Sequence, residues 1–162
     1  MRRRYFIKTM LATTALALCG GAAIAIDADD PVEFVRALYA REVARQAAGT
    51  SIGEAEFLEV FTRETRQIWL AGRGSTVNIP AGPILNVFFG WGVLPGHAVA
   101  LQDVSAVRSP RVLTVVVALT IRGEPHQVSV LPVKQDGRWR VSNIAYDRGE
   151  DFVAFRRRLS GH

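Results

Sequence analysis

Five aromatic side chains, Tyr39, Trp69, Phe88, Phe89 and Trp91, are the residues of this chain best suited to do chemistry. Together they can line a concave apolar pocket, in which flat rings cover a ligand and a phenol or indole N–H orients it. The same five can equally serve as ordinary core. The least ordinary stretch is Phe88-Phe89-Gly90-Trp91-Gly92. Its glycines free the backbone, so it is a candidate for a mobile pocket lip or a partner surface.

Other chemistries find less support. His97, His126 and His162 do not have the spacing of a helical metal pair, so no metal site is expected. Gly49-Thr50-Ser51-Ile52-Gly53 has the Gly-x-Ser-x-Gly spacing, but it follows an expected helix and not a strand, so it does not read as a nucleophile elbow. Gly72-Arg73-Gly74 is too short to cradle a dinucleotide or phosphate. No cofactor is expected.

The N-terminal segment carries an address. Arg2, Arg3, Arg4 and Lys8 form a positive region around Tyr5, Phe6 and Ile7. An apolar stretch from Thr9 to Ala23 follows, and Ala23-Ile24-Ala25 has the small-x-small pattern a signal peptidase needs. Residues 1–25 thus read as a twin-arginine-type signal peptide cleaved after Ala25, which sends residues 26–162 to a bacterial periplasm. A general secretory signal and an uncleaved anchor are the alternatives. Cys19 is the single cysteine of the chain. Leu16-Ala17-Leu18-Cys19 partly resembles a lipoprotein box, with Leu18 where a small residue belongs, so a lipid anchor at Cys19 is a further alternative. Cleavage after Ala25 would leave no cysteine, and with it no disulfide and no cysteine zinc site.

Charge narrows the partners. The chain has 20 basic and 15 acidic residues, and four of the basic ones precede Ala25. That leaves 16 against 15 beyond the signal, which is no nucleic-acid footprint. Arg156-Arg157-Arg158 reads as a solvated helix end or as a contact to anionic lipid.

The elements that must position these residues follow from periodicity. Asp30-Pro31-Val32-Glu33 starts a helix: Asp30 can cap it and Pro31 suits its first turn. Val35, Leu38, Tyr39 and Val43 carry that helix to about Gln46. A second helix is expected from Glu54 to Ala71, with Phe57, Leu58, Phe61, Ile68 and Trp69 on one side. Residues 73–97 are punctuated by Gly and Pro around the apolar run 84–93, which reads as a short helix, a strand or an exposed loop. Four strands follow: Ala98–Val107, Val112–Arg122, His126–Lys134 and Arg138–Tyr146. Asp136-Gly137 marks a two-residue hairpin turn. Pro132 demands an edge or a bulge. The second strand is apolar on both faces, which suggests a central strand covered on both sides. A short helix from Glu150 to Leu159 closes the chain's pattern.

Two helices, an irregular apolar segment and an antiparallel meander make an α+β order. The chain resembles the nuclear-transport-factor-2-like superfamily, in a secreted bacterial branch of unassigned function. Asp30–Tyr39, Phe61–Trp69 and above all Asp136-Gly137-Arg138-Trp139-Arg140-Val141-Ser142-Asn143-Ile144 carry the resemblance. It implies one domain over residues 26–162, with a curved four-stranded sheet wrapped cone-like around N-terminal helices and a short C-terminal helix. It does not imply an activity, since one fold hosts many functions, and the functions expected here rest on the aromatic, apolar residue set as well. An exported, non-enzymatic domain binding a small apolar ligand or a partner protein of the envelope is the leading one. A ketosteroid-isomerase-like isomerase or dehydratase, with Asp103 as base and Tyr39 as hydroxyl donor, is an alternative. A phospholipid carrier is another.

Overall fold

The computed structural model describes residues 29–71 and 85–160. The signal, Cys19, Ala25 and His162 lie outside the described residues. Helix α1 (Pro31–Ala47) begins as the sequence suggests: Asp30 Oδ1 accepts from Val32 N at 2.6 Å, and Pro31 occupies the first turn. It ends where Gly49 takes φ +65°, which lets Thr50 N return to Arg45 O at 3.0 Å. Its buried face, Phe34, Val35, Leu38 and Tyr39, recurs at helical spacing and packs toward the sheet.

The second helix is broken in two, α2 (Glu54–Val60) and α3 (Arg63–Ala71), rather than continuous. Phe61 is extended and forms a parallel bridge with Val141, and Thr62 N donates to Val141 O at 3.0 Å. Thr62 Oγ1 then accepts from Thr65 N at 3.3 Å, which satisfies an otherwise orphaned donor and restarts the helix. Thr65 Oγ1 donates to Ser142 O at 2.7 Å and staples the new helix to the sheet. The break turns Phe61 fully inward, at 1% exposure.

The apolar run forms a small hairpin of β1 (Leu85–Asn86) and β2 (Gly90–Trp91), paired antiparallel. The main sheet has four antiparallel strands in the order β3-β4-β5-β6: β3 (Val99–Arg108), β4 (Leu113–Ile121), β5 (Glu124–Gln135) and β6 (Arg138–Tyr146). This is the meander expected from the short connections. Asp136 and Gly137 both take positive φ, +52° and +77°, as the two-residue turn requires. Arg122 and Gly123 do the same between β4 and β5. The bulge falls between Leu131 and Pro132, and beyond Val130 strand β5 pairs with β6 alone. Pro132 therefore lacks a donor where none is missed.

One face of β4, Val115, Val117, Leu119 and Ile121, is buried. The other face, Thr114, Val116, Ala118 and Thr120, is only half-buried. The sheet is thus covered on one side there, not on both: β-branched residues suit a strand whether or not a second layer follows. Helix α4 (Phe152–Ser160) packs against α3 and β6. No described helix is long and apolar enough to cross a membrane.

Candidate functional site

The β1–β2 turn sets the site. Asn86 Oδ1 accepts from Phe88 N at 3.1 Å and Phe89 N at 3.2 Å, a side-chain-backed turn. Both phenyl rings are thereby buried, at 5% exposure each. Tyr146 Oη donates to Val87 O at 2.7 Å and ties the hairpin to the sheet. The Tyr146 ring also lies 3.3 Å from where a Cβ on Gly90 would stand, and with φ at +100° any side chain there would be strained. Phe88 and Phe89 are thus packed into the core, with Trp91 half-buried beside them, so the segment is not an exposed loop.

Four of the five aromatic candidates come together. Tyr39 meets Phe88 and Phe89 edge-on, with centroids 6.4 and 6.3 Å apart. Phe57 connects Phe88, at 6.1 Å, to Trp69, at 4.7 Å. Trp91 stands apart. Its ring packs on Phe155 at 4.9 Å, and its Nε1 donates to Glu150 O at 3.1 Å.

Beside this cluster is a cavity of about 190 Å³, at the C-terminal end of α1 under the loop 49–52 and the β1–β2 hairpin. Ile52, Phe57, Val87, Phe88 and Phe89 form its apolar side, and Glu42, Arg45 and Gln46 its polar side. Glu42 is 5% exposed. Its Oε1 accepts from Arg45 Nη1 at 2.6 Å, and Arg45 Nη2 reaches Glu56 Oε2 at 2.6 Å. Arg41 Nη1 lies 3.2 Å from Glu56 Oε1. Burial raises the Glu42 carboxyl above its ordinary value, against the lowering pull of Arg45 and Arg41. Gln46 Nε2 donates to Leu94 O at 2.8 Å, closing one rim.

Tyr39 packs on Phe88 and Phe89, two of the lining residues, and is itself at 0% exposure. Its hydroxyl has no hydrogen-bond partner among the described residues. Burial, then the nearby Tyr146 and Glu42, push its pKa well above the ordinary phenol value.

The remaining candidates fall elsewhere. Asp103 is exposed on β3 and is not brought to Tyr39. His97 Nδ1 accepts from Leu94 N at 3.3 Å, and His126 Nδ1 sits 3.3 Å from Asp147 Oδ2. The arginine run is not uniformly solvated: Arg156 is 9% exposed and stacks over Trp69 at 4.2 Å. Its Nη2 donates to Trp69 O at 2.7 Å, clamping α4 to α3. A second, open groove of about 730 Å³ runs past Trp139, Asp30, Arg108 and Arg111.

Sequence reasoning missed Glu42, Arg45 and Phe57 as cavity residues. Arg41, Glu42 and Arg45 look like the solvated face of α1. Only the packing of Glu56, in the first turn of α2, covers the group. Searches of protein-family models, of curated proteins and of solved structures return no match.

Proposed function

We propose that this chain is an exported domain of a bacterial envelope that binds a compact, mainly apolar ligand in the cavity beside Phe57, Phe88 and Phe89. The observation that carries the reading is the cavity itself: aromatic and polar side chains together line a half-open space of about 190 Å³. The export part rests on the Arg2–Lys8 region and Ala23-Ile24-Ala25. The order of elements and the antiparallel meander support a cone-like, nuclear-transport-factor-2-like arrangement in which α1 lies within the curve of the sheet.

Volume sets the ligand's size. The cavity has room for several water-sized groups, which suits a compact ligand. The isomerase alternative loses its proposed base, because Asp103 faces solvent. Native mass spectrometry of the chain purified from its own envelope tests the reading. A small co-purifying molecule, on a chain whose N-terminus is Ile26, is the expected result. Repeated recovery of the ligand-free chain, with no uptake of single-ring compounds, would contradict it.

A further inference from the structure

Glu42 has two carboxylate oxygens in different surroundings. Oε1 takes Arg45 Nη1 at 2.6 Å and is 3.9 Å from Arg41 Nε. The contacts to Arg45 and Arg41 all fall on Oε1, and Oε2 keeps some access to solvent. Yet the side chain is 6% exposed and lines the cavity. Oε2 is not closed off from solvent, so water can satisfy it in the unliganded cavity, and an occupant that displaces that water must itself donate to it.

The charge of the group limits what that donor can be. Glu42 and Glu56 face Arg41 and Arg45, two against two, with the Arg45 contacts at 2.6 Å and the Arg41–Glu56 contact at 3.2 Å. A cationic or anionic occupant would enter a balanced cluster and would have to shed its water without a free counter-charge. A neutral donor carries no such cost. The opposite side of the cavity, Phe57, Phe88 and Phe89, offers ring faces and edges.

Resting on the ligand-pocket reading above, we propose that the cavity takes a neutral, single-ring compound of the phenol type. Its ring lies against Phe57, Phe88 and Phe89, and its one O–H donates to Glu42 Oε2. Glu42 is then a specificity residue: it separates phenols from hydrocarbons of the same shape.

The test is a titration, followed by NMR, of the isotope-labelled chain purified from the envelope, with four probes of one size. The probes are p-cresol, toluene, benzylammonium and benzoate. A hydrogen bond to a charged group makes p-cresol bind on the order of 10-fold tighter than toluene, with both ions weaker than toluene. Equal affinity for p-cresol and toluene overturns the proposal and leaves the apolar pocket standing. Tightest binding of benzylammonium or benzoate overturns the neutrality argument. Binding of none at millimolar concentration overturns the proposal and the pocket together. In Glu42→Gln the preference for p-cresol should shrink to a few-fold, while toluene binding, which reports an intact cavity, persists. An unchanged preference in that variant also overturns the proposal.

Discussion

Replacing Tyr39 by phenylalanine removes one oxygen from the centre of the protein. That oxygen is fully enclosed and has no partner among the described residues. A buried hydroxyl left unpaired costs about 1–3 kcal/mol relative to the hydrated unfolded chain. Deleting it removes that cost. The vacated space is about 10–15 Å³, and at about 24 cal/mol per Å³ it gives back roughly 0.3 kcal/mol. The ring itself keeps its edge contacts with Phe88 and Phe89. Tyr39→Phe should therefore stabilise the fold by about 1–2 kcal/mol, a rise in Tm of roughly 4–8 °C. Urea denaturation with an unchanged m-value, alongside calorimetry, measures it. A loss of stability of 1 kcal/mol or more would refute the reasoning. It would mean that the hydroxyl is satisfied in the native protein, by an internal water or by a ligand.

Three further substitutions report on separate parts of the account. Gly149 has φ +83°, and a Cβ there would stand 2.6 Å from Trp91 Cδ1 and Nε1. Gly149→Ala should cost about 2–4 kcal/mol and shift Trp91 fluorescence; near-wild-type stability would show that Trp91 is not held against this turn. Arg122 pays for a left-handed φ of +54° in the β4–β5 turn, so Arg122→Asn should gain about 0.5 kcal/mol in urea denaturation, and a loss would exclude that turn geometry. Burial raises the Glu42 carboxyl above 4.5, so the folded state holds its proton more tightly than the unfolded state does. That contribution is complete below the unfolded value and disappears as pH rises through the raised folded value. Over that window the wild-type chain should lose Tm relative to Glu42→Gln, and a difference independent of pH would contradict the assignment.

Much of the scaffold was legible because its signals are local. Asp30 and Pro31 start α1 through contacts within two residues, and Asp136-Gly137 turns the last hairpin through its own φ preferences. Alternating β-branched residues marked the four strands. The helix break at Phe61-Thr62 was not legible, because it is held by Val141, some 80 residues away along the chain. Apolar spacing continued across it, and only Thr62 and Thr65 hinted at a restart. The covering of β4 was misjudged for a related reason: Val116 is compatible with a half-open face as well as with a closed one.

The site divides in the same way. Tyr39, Phe88, Phe89 and Trp69 were visible as a set because large aromatic rings have few other places to go. That Trp91 leaves the set follows from the turn at Asn86 and from Glu150, a tertiary fact. The polar side was hidden. Charges at positions 41, 42 and 45 of a surface helix normally face water, and only the fold closes Glu42 off with Glu56 and the hairpin.

Backbone amide shifts during titration with p-cresol address the pocket most directly. The changes should concentrate at Glu42, Gln46, Ile52, Phe57 and the 86–89 turn, and leave the groove at Trp139 and Arg111 still. Saturable shifts centred on that groove instead, or no shifts at all, would contradict the pocket assignment.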